Sequence, residues 1–276
     1  MNYEGLKFTK MQGNGNDFII IDNRSRSFGD DSLRDMAINL CRRRISIGAD
    51  GLMAIEKSDD ADFKMRLFNC DGSEGEMCGN GARCLARCAF EKGIAPKKMT
   101  IETLAGPVSA QVTPPYATLD MGLLDMTSVE RGQNKNISGE DFPYSHLTVG
   151  VPHTVIFQDP GDRRSPGDLA PIAIVFQSDR DLFPLGTNVN FLKVSGPNLL
   201  DVRTRERGVN DFTLSCGTGS TAAAAAAWME GLVSSPVDVT NPGGVNTVLI
   251  EENEPGVARL FLRGLTAFVA EGSVLS

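Results

Sequence analysis

Two short segments of the sequence place a cysteine directly before a glycine-rich helix start. They read Cys78-Gly79-Asn80-Gly81 and Cys216-Gly217-Thr218-Gly219. A helix start leaves backbone N–H groups unpaired and carries the positive end of the helix dipole. Glycines let an anionic ligand approach those groups, and the same field favours the thiolate form of a cysteine. Each segment therefore predicts an anion-binding nest beside an activated thiol.

Two plainer interpretations compete with this one. Neither segment continues into the Gly-Lys-Ser/Thr of a phosphate-binding P-loop, so a nucleotide site is not indicated. The two cysteines could instead be small apolar residues buried at helix starts. The remaining cysteines lack the glycine context: Cys41, Cys70, Cys84 and Cys88. Of these, Cys84 and Cys88 lie four residues apart on the helix after Cys78 and are expected to serve in core packing.

The spacing of the two segments indicates an internal repeat. Cys78 and Cys216 lie 138 residues apart, half the length of the 276-residue chain. Three further pairs keep this spacing to within one residue: Asn16 with His153, Asp50 with Asn188, and Asn69 with Arg207. This agreement predicts two structurally equivalent halves with a site where they meet, although two halves with similar turns would be a simpler explanation.

Two activated thiols at one site suit proton transfer at a tetrahedral carbon. A thiolate removes a proton from one face while a thiol delivers a proton to the other, which inverts the configuration. The helix N-termini would stabilise the charge that develops on a substrate carboxylate. We expect no cofactor and no metal, because the sequence has no evident pyridoxal or nicotinamide motif, no C-x-x-C pair and only two histidines.

Three more side chains are candidates for this site. His153 precedes an apolar strand pattern, and a lone histidine there is usually structural, but its register with Asn16 favours function. Glu206 and Arg207 lie in Arg-Glu-Arg-Gly, a pattern typical of a solvated turn. The register of Arg207 with Asn69 favours function here too, and its guanidinium could clamp a second substrate carboxylate.

Composition narrows the class of protein. The length predicts one large or two modest domains, and 41% apolar and 22% charged residues are ordinary globular values. A net charge of −8 argues against a non-specific binder of nucleic acid or of anionic membranes. The first residues show no export signal and no apolar run is long enough to span a bilayer, so we expect a cytoplasmic protein with a small-molecule partner.

The pattern of apolar residues predicts an α+β fold with many short strands and few helices. Helices are predicted over 31–43, 79–92 and 217–230, the last ending at Gly231. Polar loops are predicted over 126–144 and 163–167. Strands are predicted over 18–22, 51–56, 63–69, 99–103, 108–112, 116–121, 154–157, 172–176, 189–194, 200–205, 247–251, 257–263 and 266–269.

The chemistry-bearing segments together resemble the diaminopimelate epimerase family. The most specific is Asp71-Gly-Ser-Glu-Gly-Glu-Met-Cys-Gly-Asn-Gly-Ala-Arg-Cys84. The others follow in the family's order along the chain: residues 10–18, 150–153, 186–191, 206–208 and 216–219.

This resemblance implies a fold and an activity. The fold would be two pseudo-symmetric halves, each with strands wrapped round a central helix: residues 1–122 with 265–276 around Cys78, and 123–264 around Cys216. The activity would be the cofactor-independent interconversion of LL- and meso-diaminopimelate in lysine and peptidoglycan precursor synthesis, by a cytoplasmic homodimer. Cys78 and Cys216 would be the acid and base, assisted by His153 and Glu206. The implied substrate-binding residues are Asn16, Asn69, Gly79, Asn80, Asn188, Glu206, Arg207, Gly217 and Thr218.

Three residues depart from the family pattern. Gln12 stands where the family usually has His, Val151 where Asn is common, and Phe212 where Glu is common. These departures leave a racemase of another amino acid as an alternative. A non-catalytic amino-acid-binding protein is a further alternative, against which the presence of both cysteines, His153 and Glu206 argues.

Overall fold

The chain divides into two units in a computed structural model, which describes residues 3–209 and 211–275. Unit 1 comprises Met1–Leu119 and Gly264–Ser276, and unit 2 comprises Asp120–Arg263. The chain leaves unit 1 within one long strand, Tyr116–Asp125, and returns to it within another, Val257–Leu265.

The described residues of unit 1 form two helices among short strands. The helices are α1 (Asp30–Leu40) and α2 (Gly79–Glu91). Its strands are β1 (Lys7–Gly13), β2 (Asn16–Asp22), β3 (Gly51–Glu56), β4 (Phe63–Asn69), β5 (Glu74–Gly75), β6 (Lys98–Thr103), β7 (Gly106–Thr113), the first part of β8 (Tyr116–Asp125) and, from the end of the chain, β17 (Ala267–Ser273).

Unit 2 also contains two helices. These are α3 (Pro166–Ser178) and α4 (Gly217–Met229), and a short 3₁₀ turn spans Met126–Ser128. Its strands are β9 (Glu130–Ile137), β10 (Glu140–Val149), β11 (Val151–Phe157), β12 (Asn188–Gly196), β13 (Leu199–Arg205), β14 (Val237–Asn241), β15 (Gly244–Glu254) and most of β16 (Val257–Leu265).

The two units repeat one topology. In unit 1, β1 pairs antiparallel with β2, β2 parallel with β3, β3 antiparallel with β4, β4 parallel with β6 and β6 antiparallel with β7. In unit 2, β10 to β15 pair with the same alternation of directions. In both units a helix connects the first parallel pair and a second helix connects the next. The predicted α+β fold of two equivalent halves is therefore confirmed.

The second helix of each unit is its buried centre. The run Ala222–Ala227 in α4 is fully enclosed by apolar residues of the surrounding strands, including Val155, Val202 and Leu260. A helix that is apolar on all sides is expected in a protein interior. Alanine side chains allow strands to approach such a helix closely from several directions. Most of α2 is buried in the same way.

The first helix of each unit packs on one face only. In unit 1, Leu33, Met36 and Leu40 of α1 pack in a cluster with Ile19 and Ile21 of β2. The corresponding cluster in unit 2 joins α3 to β10, β11 and β12 through aromatic and branched side chains: Phe142, Tyr144, Ile156, Leu169, Ile172, Phe176, Val189 and Phe191.

One predicted strand is wrong, because residues 172–176 lie inside α3. The sequence Ile-Ala-Ile-Val-Phe is β-branched and apolar, which favours a strand locally. The helix is instead fixed at its start, where Ser165 and Asp168 form a capping box and Pro166 occupies the first position. Packing then decides the outcome, since Leu169, Ile172 and Phe176 recur at helical spacing and are buried.

The predicted loop over 126–144 is also wrong, because β9 and the first half of β10 form a hairpin there. Residues of β9 are mostly exposed, so no alternation of apolar side chains marks the strand. The turn is made by Ser138 and Gly139, with φ values of 53° and 89°. Positive φ at two adjacent residues is the conformation of a tight hairpin turn. Polar composition here reflects an exposed strand pair rather than irregular structure.

Other differences concern the ends of elements and three strands without a prediction: β1, β5 and β14. Helix α1 ends at Leu40 rather than at residue 43. Strand β1 was not predicted because two of its buried positions hold Thr9 and Lys10, the latter in an ion pair with Asp17 at 2.6 Å. Strand β14 was also not predicted. Within residues 3–209 and 211–275, no helix is long and apolar enough to cross a membrane.

Candidate active site

In unit 1, Cys78 is the residue that caps the start of α2. Its backbone is extended, with φ −135° and ψ 119°, and the following Gly79 and Asn80 are the first residues of the helix. Cys78 is a thiol and is half-buried. The sequence therefore places its cysteine where the field of the helix N-terminus is strongest.

A chain of amide hydrogen bonds runs beside Cys78, and we call it the Asn80 chain. Arg83 donates from Nη2 to Asn80 Oδ1 at 2.7 Å, and Asn80 donates from Nδ2 to Asn16 Oδ1 at 2.6 Å. Asn16 in turn donates from Nδ2 to Asp50 Oδ2 at 3.1 Å. Asp50 is itself held by Arg43 at 2.8 Å. These hydrogen bonds therefore fix the orientation of the side-chain amides of Asn16 and Asn80, two predicted substrate-binding residues.

Arg83 is an unusual member of this chain because it is fully buried. Its Nε and Nη1 atoms have no hydrogen-bond partner among the described residues. The guanidinium lies against the backbone of Gly264, where a Cβ atom would come within 2.7 Å of Arg83 Cζ. Burial lowers the pKa of Arg83, and the neighbouring Cys84 and Cys78 oppose that shift.

Asn69, a further predicted substrate-binding residue, lies at the end of β4. Its side chain is exposed and donates from Nδ2 to Ser73 Oγ at 3.0 Å, while its backbone N–H is bonded to the Ser73 carbonyl at 2.8 Å. The turn from Asn69 to Ser73 leads into the segment that ends at Cys78. The amide is thus ordered by its own loop and accessible to a ligand.

In unit 2, Cys216 caps α4 in the same manner, with φ −112° and ψ 117°. It is buried, and its Sγ accepts a hydrogen bond from the backbone N of Gly219 at 3.3 Å. The hydroxyl of Thr218 lies 3.4 Å from the same sulfur. An N–H that points at sulfur favours a negative charge there. Gly217 is buried and Thr218 is half-buried at this helix start.

Glu206 lies beside Cys216. Burial raises the pKa of Glu206, and side-chain hydrogen bonds with Thr213 and with Cys216 partly counteract the rise. A carboxylate hydrogen-bonded to a thiol can take up the thiol proton, and a raised pKa brings the two groups closer in proton affinity. This contact is the geometry that proton exchange between Glu206 and Cys216 requires.

His153 lies in the middle of β11 and is completely buried. Its pKa is lowered to about 3, chiefly by burial, with further contributions from the positive charges of His146 and Arg207. The imidazole is therefore neutral near pH 7. Its Nδ1 lies 3.2 Å from Nδ2 of Asn190, on the neighbouring strand β12.

Asn188 and Arg207 come together at the ends of β12 and β13. Asn188 Oδ1 accepts a hydrogen bond from the backbone N of Arg207 at 2.8 Å, and Asn188 is buried. The Arg207 guanidinium is exposed and donates from Nη1 to the carbonyl of Leu185 at 2.7 Å. Its remaining N–H groups are suited to a bidentate interaction with a carboxylate.

The three residues that depart from the family pattern have structural partners. Gln12 Oε1 accepts a hydrogen bond from the backbone N of Gly15 at 3.3 Å, which closes the turn between β1 and β2. Phe212 packs on Phe191, with ring centroids 6.1 Å apart, so an apolar contact holds the loop before Cys216. Val151 begins β11 and is half-buried.

Sequence reasoning missed the buried polar residues that support the site. Asn190 and Thr204 lie under the start of α4, and Arg83 lies beneath Asn80. A polar residue inside an apolar run, as in Val189-Asn190-Phe191 and Ala82-Arg83-Cys84, was the available indication. In the part of the chain that is described, no group of three or more His, Cys, Asp or Glu side chains is placed to hold a metal ion.

The fold is shared with solved structures of low sequence identity. A phenazine biosynthesis protein of the PhzF family from Bacillus anthracis matches with a TM-score of 0.73 at 16% identity, over 99% of this chain and 100% of its own. A hydroxyproline epimerase from Agrobacterium vitis matches with a TM-score of 0.68 at 16% identity, over 98% of this chain and 90% of its own. The chain thus has the two-half α+β fold of these proteins.

Sequence similarity identifies the family. The family model described as diaminopimelate epimerase matches residues 8–127 and 146–261. A diaminopimelate epimerase from Caldanaerobacter subterraneus is 38% identical, with 98% of this chain and 99% of the relative covered. One from Aquifex aeolicus is 37% identical, with 97% of each covered. The chain belongs to the diaminopimelate epimerase family.

Proposed function

We propose that the protein interconverts LL- and meso-diaminopimelate without a cofactor, with Cys78 and Cys216 as the proton-transferring pair. The observation that carries this proposal is the equivalent placement of the two thiols. Each caps the buried central helix of its unit from an extended backbone conformation, and the two units repeat one topology. Two-base inversion requires two such groups, one for each face of the α-carbon. The family membership supports the choice of substrate.

Each remaining candidate other than His153, which is treated in the next subsection, has a role within this proposal. Backbone N–H groups at Gly79, Asn80, Gly217 and Thr218 would bind the carboxylate at the reacting carbon, where negative charge develops. Glu206 would exchange a proton with Cys216, to which it is hydrogen-bonded. The second ammonium and carboxylate of diaminopimelate would be bound by polar side chains: Asn16, Asn69, Asn188 and Arg207.

The resemblance also implies a cytoplasmic homodimer that serves lysine and peptidoglycan precursor synthesis and binds no nucleic acid. The acidic net charge of −8 supports the last point, since phosphate backbones attract basic surfaces. Sedimentation equilibrium of the purified protein tests the oligomeric state: a mass of twice 29.6 kDa is expected, and a monomer at micromolar concentration would contradict it.

A substrate panel tests the proposed specificity. We expect LL-diaminopimelate to give a higher kcat/KM than meso-lanthionine, lysine, ornithine, glutamate or histidine. For lysine, ornithine and histidine, Arg207 is the reason, because a substrate without a second carboxylate would leave its guanidinium without an anionic partner. Glutamate and meso-lanthionine carry a second carboxylate and serve as the dicarboxylic comparisons. A monocarboxylic amino acid as the best substrate would contradict the proposal and would favour the alternative, a racemase of another amino acid.

Val151 allows a sharper version of this test. An asparagine at this position would add a hydrogen-bond donor at the start of β11, and such a bond to a charged group contributes about 1.5–3 kcal/mol. Val151→Asn should therefore lower the KM for diaminopimelate by roughly tenfold or more and leave kcat nearly unchanged. Val151→Ala is the matched control, since it alters the size of the side chain without adding a donor. Equal effects of the two substitutions would show that Val151 does not face the substrate.

A further inference from the structure

The buried histidine of unit 2 is held by a side chain that has all of its hydrogen-bonding groups occupied. Asn190 donates from Nδ2 to the carbonyl oxygen of Thr154 at 3.1 Å, and the same nitrogen lies 3.2 Å from His153 Nδ1. Its Oδ1 accepts a hydrogen bond from Thr204 Oγ1 at 2.9 Å. Asn190, Thr154 and His153 are all fully buried.

These contacts determine which way the Asn190 amide points. A backbone carbonyl can only accept a hydrogen bond, so the atom facing Thr154 O must be the amide nitrogen. The opposite orientation would set the Asn190 oxygen against the Thr154 carbonyl oxygen. It would also remove the acceptor of the buried Thr204 hydroxyl, which donates to Asn190 Oδ1. The two amide hydrogens are therefore directed to Thr154 O and to His153 Nδ1.

The orientation of Asn190 in turn determines the tautomer of His153. A ring nitrogen that receives a hydrogen bond must offer a lone pair, so Nδ1 is unprotonated and the ring proton is on Nε2. A proton on Nδ1 would face the Asn190 N–H at 3.2 Å, with two donors opposed. We infer that Asn190 is a positioning residue that locks His153 as the neutral Nε2–H tautomer, so that His153 serves the reaction as a hydrogen-bond donor and not as a base.

The surroundings of His153 Nε2 suit a hydrogen-bond donor whose acceptor arrives only during the reaction. It is buried, and no hydrogen-bond partner for it occurs among residues 3–209 and 211–275. An N–H at such a position is costly to leave unsatisfied, so it suits an acceptor supplied during the reaction. Under the proposed function, on which this step rests, that acceptor is an anion: a thiolate or a substrate carboxylate. Burial is the main reason that the ring stays neutral, and the guanidinium of Arg207 adds to it.

The same asparagine also contacts the helix that begins at Cys216. Gly219 approaches it so closely that a Cβ atom there would lie 2.5 Å from Asn190 Oδ1 and 2.9 Å from Thr204 Oγ1. The backbone N of Gly219 is the group that donates to Cys216 Sγ. Asn190 thus fixes the proton of His153 and abuts the helix turn that holds the Cys216 sulfur.

The tautomer can be measured directly by NMR of protein labelled with ¹⁵N in its imidazole rings. The chain has only two histidines, and His146→Gln leaves the resonances of His153 alone. We expect a pyridine-type shift at Nδ1 and a pyrrole-type shift at Nε2, both unchanged from pH 8 to pH 5. The reversed pattern, or the averaged shifts of an imidazolium ion in that range, would overturn the inference.

A substitution of Asn190 tests what sets the tautomer. In Asn190→Asp the carboxylate can only accept from Nδ1–H, so the ring should switch to the Nδ1–H tautomer or become an imidazolium. Asn246→Asp is the matched control: Asn246 is equally buried in unit 2 but bonds to Ser215 and Ser220. An unchanged tautomer in folded Asn190→Asp would refute the role of Asn190. If that variant does not fold, the measurement on His146→Gln alone decides the tautomer.

These measurements do not depend on turnover. A protein that shows the Nε2–H tautomer but does not epimerise diaminopimelate would refute the proposed function and leave the role of Asn190 intact. A protein that epimerises diaminopimelate with His153 in the Nδ1–H form would support the proposed function and refute the role of Asn190.

Discussion

Under the proposed function, the hydrogen bond between Glu206 and Cys216 would give the second thiol its own proton acceptor. Two influences act on the carboxyl group in opposite directions: burial raises its pKa, and hydrogen bonds with Thr213 and Cys216 lower it. The net effect is a raised pKa for Glu206. The acid limb of the pH–rate profile should therefore lie above the usual value of 4.5 for glutamate.

Thr213→Val should move that acid limb further towards neutral pH. The Thr213 hydrogen bond stabilises the ionised carboxylate, and its loss raises the pKa of Glu206. Glu206→Gln should abolish the limb and lower kcat by about a hundredfold or more. The pH dependence of kcat/KM gives both results. Thr247→Val is the control, because Thr247 donates to Asp238 at 2.7 Å elsewhere in unit 2 and should leave the limb in place.

His153 should make the folded protein sensitive to acid. Its pKa is about 3 when folded and 6.5 in the unperturbed state, so only the unfolded chain binds the proton between these values. The stability that a neutral His153 provides is complete above pH 6.5 and is lost as the pH falls towards 3. Between pH 6.5 and pH 5 the loss should amount to about 1.5 kcal/mol.

Urea unfolding of His153→Gln and wild type at several pH values measures this term. The variant should lose less stability than wild type over that pH range. His146→Gln is the matched histidine, and its effect should be smaller because His146 is only half-buried. Identical pH dependence in wild type and His153→Gln would show that folding does not lower the pKa of His153.

At the level of elements, the start of α4 depends on one residue without a side chain. Gly219 is helical and has no need of glycine for its backbone angles, but its neighbours leave no room for a Cβ atom. Asn190 and Thr204 occupy that space, and both are anchored by hydrogen bonds. They cannot move aside without breaking the contacts that orient His153.

Gly219→Ala should therefore destabilise the protein by about 1–3 kcal/mol and reduce kcat. The reduction in kcat follows because the N–H that reaches Cys216 Sγ belongs to the same residue. Thermal unfolding and steady-state kinetics measure the two effects. Gly167→Ala is the control in the first turn of α3, where the Cβ atom would meet only Ser165 Oγ at 3.6 Å. That variant should be neutral or more stable, and equal effects of the two substitutions would contradict the close approach at Gly219.

The sequence allowed some elements to be predicted and concealed others for identifiable reasons. The central helices were predicted from a Cys-Gly start followed by small or apolar residues, and Gly231 ends α4 as expected with φ 69°. Helix α3 was mistaken for a strand because five apolar residues carry no period. Only the capping box at Ser165 and the contacts of Leu169 and Phe176 reveal a helix.

For the whole molecule, the internal repeat was visible in the spacing of a few residues. The number of residues between Cys78 and Cys216 in the sequence predicted two equivalent halves, and the pairing order of the strands confirms them. Strand composition did not reveal the repeat, because the corresponding β1 and β10 differ in their buried residues. The residues at the helix starts are restricted to types with the required chemistry, whereas many combinations of apolar residues can fill the buried positions of strands.

The supporting residues of the site could not be predicted for a related reason. Arg83 lies against Gly264, and Asn190 contacts His153 and Thr204. These partners are distant in the sequence, and a single sequence gives no distances. The roles of Cys78, Cys216, His153 and Glu206 stay predictions until they are tested by measurement.

The central proposal is that two different thiols transfer protons at the two faces of one α-carbon. The most direct test is the reaction of LL-diaminopimelate in D₂O, analysed at low conversion by mass spectrometry. If one thiol removes the proton and the other delivers a new one, the product should carry deuterium at the α-carbon while recovered substrate carries none. Cys78→Ala and Cys216→Ala should each abolish this conversion. Product that retains its original hydrogen, or either alanine variant working at the wild-type rate, would contradict the two-thiol mechanism.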